Sequence, residues 1–148
     1  MLSGKNADEK VGSTQPIKVV TAKEFINIKD NSLKKLQSEG YGSWDSSGLL
    51  IVDLRDNKSF EEEHIKGSGH YDADKVLKNI GFTKGVDLVL VVNKNEVQKA
   101  KDIAEKMANI REKYKSELRV QGEKIYVISD GYEGLKATNL QMEKGGLD

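Results

Sequence analysis

The residues of this chain that could do chemistry gather in two stretches. Asp53, Arg55, Asp56, His64, His70, Asp72 and Asp74 lie within little more than twenty positions, and Ser129-Asp130-Gly131 stands near the C-terminal end. Imidazole beside carboxylates can serve general acid–base work or hold a divalent cation. His70, Asp72 and Asp74 could supply such a cation's ligands, but the chain has only 2 histidines and no second cluster at a ligand spacing. Ser129, His64 and Asp53 could in principle form a hydrolytic triad, yet no nucleophile-elbow spacing surrounds Ser129. Asp53, Arg55 and His64 also admit a structural reading, because half-buried charges need partners to offset a desolvation cost of several kcal/mol, roughly, per ion.

Composition closes several other routes. The chain has 148 residues, the size of one ordinary domain, and no cysteine, which removes disulfides, thiolate metal sites and thiol nucleophiles. Lys+Arg and Asp+Glu both number 24, so no global field draws the protein to nucleic acid or a membrane surface. The longest apolar runs are strand-sized, far short of the ~20 residues of a membrane span. The N-terminal MLSGKNADEK has neither the apolar core of a secretory signal nor an arginine. The expectation is a protein of the cytoplasm, or of an organellar or cytoskeletal assembly, and not a secreted one. GYGSWDSSG, residues 40–48, is glycine- and serine-rich but lacks the Gly-Lys-Ser/Thr ending of a phosphate-binding loop and follows a helix, so nucleotide binding has no support.

The elements that must position these residues follow from periodicity. Residues 1–15 show none and are expected to be a disordered tail, with a domain over 16–140 and a frayed C-terminal tail over 141–148. Ile17, Val19 and Val20 begin a strand. Thr21 and Glu24 form a capping box that starts a helix bearing Phe25, Ile26 and Ile28, expected to bend at Asp30-Asn31-Ser32 and resume through Leu33 and Leu36. Leu49 to Val52 is a strand apolar on both faces, with Asp53 at its end. Asn57 is the expected cap of a short helix through Phe60 to Glu63, and Gly67-Ser68-Gly69 a turn.

His70 to Ile80 is the next expected helix, and Val86 to Val92 a second two-sided strand. Asn95 and Gln98 give a capping-box pattern before Val97, Ala100, Ile103, Ala104, Met107 and Ile110, a stripe continuing to Tyr114 and Leu118, with Gly122 in the loop that ends the excursion. Ile125 to Ile128 is a strand, and Leu135 and Ala137 belong to a closing helix. Strands apolar on both faces and separated by helices predict a parallel sheet covered on each side.

These residues resemble the rhodanese-like domains. The similar features are Val52-Asp53-Leu54-Arg55 ending a strand, Phe60 after it, and His64-Ile65-Lys66-Gly67-Ser68 where that family carries a Gly-His-Ile-x-Gly-Ala motif. Ile128-Ser129-Asp130-Gly131-Tyr132 stands where the family has an apolar residue and a Gly-Gly pair. The resemblance implies an α/β fold with a mostly parallel five-stranded sheet and helices on both faces. It makes Asp53, Arg55, His64 and Gly67 a structural motif, with the aspartate and arginine organising the strand end and the histidine fixing the turn.

In the enzymes of that family, a cysteine following the strand here spanning Leu88 to Val92 carries sulfur or attacks phosphate. This chain has Asn93 there, then Lys94, Asn95, Glu96, Val97 and Gln98, with neither glycine nor arginine to cradle an anion. Glu96 adds a repelling carboxylate. The implied function is a non-enzymatic interaction module, a structural or regulatory subunit of a larger assembly with protein partners and no cofactor, metal or nucleic acid. The alternative is a sensor that binds a small anion or sulfur compound in the vestigial pocket. Trp44, Tyr114 and Leu118 are candidate partner contacts, against plainer readings as core rim and solvated helix extension.

Overall fold

The computed structural model describes residues 16–38, 49–78, 87–113 and 124–146, with the side chains of residues 35–37 left aside. The expected tail over 1–15, the loop over 40–48 with Trp44, and Tyr114, Leu118 and Gly122 lie outside the described residues, as do residues 147 and 148.

Five strands form one parallel sheet. In chain order β1 is Ile17–Val20, β2 Leu49–Asp53, β4 Gly69–His70, β5 Asp87–Val91 and β6 Ile125–Ile128, and their spatial order is β1-β6-β5-β2-β4. β3, His64–Ile65, pairs instead with β7, Met142–Glu143, as a small antiparallel ribbon. The helices are α1 Ala22–Ser38, α2 Asn57–Glu62, α3 Ala73–Lys78, α4 Val97–Lys113 and α5 Gly131–Lys136, with a 3-10 turn Lys94–Glu96 leading into α4.

The apolar runs predict this layering because alternate side chains of a strand point to opposite faces. Leu88, Leu90 and Val92 meet Val76 of α3 and Ala100, Ile103, Ala104 and Met107 of α4 on one face. Val89 and Val91 meet Phe25 of α1, Tyr132 and Leu135 of α5, and Ile65 on the other. The sheet is thus covered on both sides, as expected. Among the described residues no helix is long and apolar enough to cross a membrane.

The capping box at α1 forms in both directions: Glu24 N–H donates to Thr21 Oγ1 at 3.1 Å and Thr21 N–H to Glu24 Oε1 at 2.7 Å. Five local expectations are corrected. α1 runs unbroken through Asp30-Asn31-Ser32, whose modest helix propensities are outweighed by the packing of its apolar stripe. The cap of α2 is Asp56, not Asn57, its carboxylate accepting Ser59 N–H at 2.7 Å. Asn95 caps no helix but sits inside the 3-10 turn, which starts after Asn93. His70 belongs to β4 and α3 begins only at Ala73, because pairing with β2 claims the preceding backbone. The tail expected to fray from residue 141 opens with a strand: Lys66 N–H donates to Gln141 O at 2.9 Å, and Gly145 N–H to Glu61 O at 2.8 Å.

Candidate functional site

All five sheet strands point the same way, so their carboxyl ends share one edge, where a doubly covered parallel sheet ordinarily holds its site. The end of β2 carries Asp53 and then Arg55, both nearly fully buried. Their pairing is close and multidentate. Arg55 Nε lies 3.1 Å from both Asp53 oxygens, Nη2 donates to Oδ2 at 2.9 Å, and the Arg55 backbone N–H donates to Oδ1 at 2.9 Å.

The same Nη2 donates to the Glu63 carbonyl at 2.7 Å, and the guanidinium lies 3.6 Å over the Tyr132 ring. Arg55 therefore ties the end of β2 to the end of α2 and to α5. His70 Nε2, 2.6 Å from the Arg55 carbonyl, donates to it. Both Asp53 oxygens, Arg55 Nε and Nη2 and His70 Nε2 thus all bond to protein, which is the arrangement of a frame.

Tyr132 and Glu63 complete the frame. Tyr132 Oη donates to Glu63 Oε1 at 2.8 Å, and Lys136 Nζ lies 2.7 Å from the same oxygen. Those bonds from Lys136 and Tyr132 hold the Glu63 carboxyl below its ordinary range. Burial, reinforced by the Glu63 hydrogen bond, pushes the Tyr132 phenol up to about 12. His64, also buried, stacks on Phe60 with ring centroids 3.7 Å apart. Its Nδ1 donates to the Phe60 carbonyl at 2.8 Å, and its Nε2 lies 3.1 Å from Glu143 Oε2. Gly67 takes φ 89°, the left-handed conformation that closes the turn between β3 and β4.

The imagined triad is not assembled. Ser129 Oγ faces Val20 O and Asp130 Oδ1, His64 is held by Phe60 and Glu143, and Asp53 by Arg55. Among the described residues no group of three or more His, Asp or Glu side chains is placed to hold a metal ion; His70 is engaged with the Arg55 carbonyl.

The loop after β5 is where the chain departs from an anion cradle. Asn93 caps the 3-10 turn through its backbone and makes no side-chain cap hydrogen bond; its amide reaches Glu96 Oε1 at 3.4 Å. Gln98 turns along α4 to Asp102. Asn93, Lys94 and Asn95 line a surface depression together with Glu133 of α5. Glu133 Oε1 accepts Lys94 N–H at 2.8 Å.

α5 also presses on the loop through its backbone. Tyr132 N–H donates to Val92 O at 2.7 Å, and a Cβ built on Gly131, at φ 69°, would fall 2.5 Å from the Lys94 backbone. Glu133, Tyr132 and Glu143 were not legible as partners of these motifs. Their sequence neighbours carry no signal of contacts spanning tens of residues.

The profile of the family described as "Rhodanese-like domain" matches residues 31–138, well over half of the chain. No curated protein matches the sequence. Solved structures give the same fold at low identity. A full-length protein from Lactobacillus plantarum superposes with a TM-score of 0.53 at 13% identity, over 95% of this chain and 98% of that one. The rhodanese-like domain of an Anabaena sp protein gives 0.50 at 13% identity, over 90% of this chain and 88% of that one. A thiosulfate sulfurtransferase from Pseudomonas aeruginosa gives 0.50 at 14% identity, over 75% of this chain but only 18% of that one. With the five-stranded parallel sheet in place and no cysteine anywhere in the chain, the cysteine chemistry of sulfur transfer is unavailable to it. The chain belongs to the rhodanese-like domain family.

Proposed function

We propose that this domain acts as a non-enzymatic interaction module, a rhodanese-like fold kept as a structural or regulatory subunit of a larger protein assembly. The observation that carries the reading is the loop after β5: Asn93 stands where the family's enzymes carry cysteine, and Glu133 accepts the Lys94 N–H. An amide cannot carry sulfur, and a carboxylate already seated on the loop repels a second anion. The buried Asp53–Arg55–Tyr132 and Phe60–His64 contacts keep the strand ends rigid, which suits a scaffold as well as a catalyst.

Two measurements test this. Purified protein is expected to turn over neither thiosulfate with cyanide nor an aryl phosphate above a heat-killed control, and turnover of either would end the proposal. Crosslinking with mass spectrometry in the source cell is expected to place the domain reproducibly against specific protein neighbours. The competing reading, an anion or sulfur-compound sensor, predicts heat on titration with sulfate or thiosulfate near neutral pH. Glu133 and Glu96 favour no heat.

A further inference from the structure

We propose that the outer edge of β1 takes an extended strand from another protein, added antiparallel to the sheet, with an acidic residue opposite Lys18 and apolar residues opposite Ile17 and Val19. β1 is an end strand: β6 pairs with it on one side, and no strand among the described residues pairs with it on the other. Backbone groups of successive residues in a strand point alternately to its two sides. Pro16 O accepts Ile125 N–H at 2.7 Å and Val20 O accepts Ser129 N–H at 2.8 Å, so residues 16, 18 and 20 face β6. Ile17 and Val19 therefore each turn an N–H and a C=O outward. The next residue in that series, Thr21, is already engaged: its N–H donates to Glu24 Oε1 at 2.7 Å and its O accepts Phe25 N–H at 2.9 Å. The open ladder ends there.

The side chains select the kind of strand. Among the described residues Val19 is the exposed large hydrophobic one, at 48%. It shares a face with Ile17, which packs against the core on the α4 side. Lys18 and Val20 point to the α1 side, and Lys18 makes no ion pair with a described residue. A residue directly opposite in an added strand points to the same face, so an apolar residue opposite Val19 covers it and a carboxylate opposite Lys18 answers its charge. β4, at the other end of the sheet, has only Gly69 and His70 and presents no such side chains. A short edge with a lysine also guards against indiscriminate pairing. Here the lysine sorts the strands that the exposed valine attracts.

A second copy of this chain fits the edge less well. Within β1, only the register with Ile17 opposite Val19 uses the outward groups of both residues on both strands. It sets the two Lys18 side chains directly opposite one another at the non-hydrogen-bonded position, where Cα atoms approach to about 4.5 Å and like charges repel. Sliding the strands until the two Val19 residues face each other brings Ile17 opposite Thr21, whose groups are engaged. The occupant is therefore a different chain, with the pattern apolar, acidic, apolar. Strand addition of this kind takes its affinity from main-chain bonds and its specificity from alternate side chains. The inference rests on the reading of the domain as an interaction module and adds the surface and the class of partner.

The test is a titration of the isotopically labelled full chain with two capped peptides of about eight residues, one centred on valine-glutamate-valine and one on valine-lysine-valine, followed through backbone amide shifts. The glutamate peptide is expected to shift the Ile17 and Val19 amides and to bind about three- to tenfold more tightly than the lysine peptide. The Val19 N–H points away from β6, so Val19→Pro keeps the β1–β6 ladder, removes one outward donor and should weaken binding about fivefold or more. Lys18→Glu should reverse the preference between the two peptides, a result that does not depend on how well the proline variant folds. Absence of shifts at Ile17 and Val19, equal binding of the two peptides, or unchanged preference in Lys18→Glu would each overturn the proposal. So would Ile17 and Val19 shifts that follow protein concentration alone, which would make a second copy the occupant. None of these outcomes touches the reading as an interaction module, which fails instead on turnover of thiosulfate or an aryl phosphate.

Discussion

Replacing Asp53 by Asn tests whether the end of β2 is a frame. The substitution keeps the shape of the side chain and removes the charge that faces Arg55 from three contacts of 2.9–3.1 Å. Arg55, 5% exposed, would retain the Glu63 carbonyl and the Tyr132 ring, both uncharged. Breaking a buried pair from one side costs about 3–5 kcal/mol, because the remaining ion is stranded away from water. Against a total stability of about 5–15 kcal/mol that is a large share. With a urea slope of about 1.5 kcal/mol/M the midpoint should fall by about 2–3 M.

The companion variant D53L/R55M removes both charges and should recover much of the loss, since a buried pair replaced by apolar groups of similar volume is often neutral. Urea denaturation followed by circular dichroism reads both. A loss below about 1 kcal/mol for D53N, the worth of an exposed pair, would refute the argument that burial makes this contact a frame.

Three further outcomes follow from the same geometry. Gly131→Ala should destabilise by about 2 kcal/mol or more in the same denaturation assay, since it combines a left-handed φ of 69° with a Cβ 2.5 Å from the Lys94 backbone; a neutral result would mean that α5 is not pressed on the loop. The Tyr132 phenol titrates higher in the fold, at about 12, than its ordinary value of 10.0, so its stabilisation is present below pH 10.0 and lost as pH rises from there through 12. Thermal melts should show that alkaline loss in the wild type and a shallower one in Y132F. Asn93→Cys alone should restore no thiosulfate–cyanide turnover, because Glu133 remains on the Lys94 N–H; measurable activity would show that the residue and not the loop is the block.

Much of the frame was legible without coordinates. The two-sided apolar runs Leu49 to Val52 and Leu88 to Val92 can be satisfied only by helices on both faces, and the Thr21/Glu24 box forms as written. Caps one or two residues away from the expected position, as at Asp56 and Asn93, show the limit of local reading: several neighbouring residues can cap, and the approach of the chain decides which one does. The expected bend in α1 failed because propensity differences of a few tenths of a kcal/mol, roughly, yield to packing.

By itself the sequence determined that this chain cannot use a thiol, because composition is absolute: no arrangement of 148 residues without cysteine supplies one. It also placed Asn93 in the loop after β5. Only the tertiary structure decided what the loop and the motif residues touch. Glu133 lies 39 positions from Lys94, and that pair meets because the parallel sheet brings the ends of β5 and β6 to one edge, whereas Glu143 meets His64, 79 positions away, across the antiparallel β3–β7 ribbon. Contacts at such separations depend on strand order and register, which no local pattern encodes.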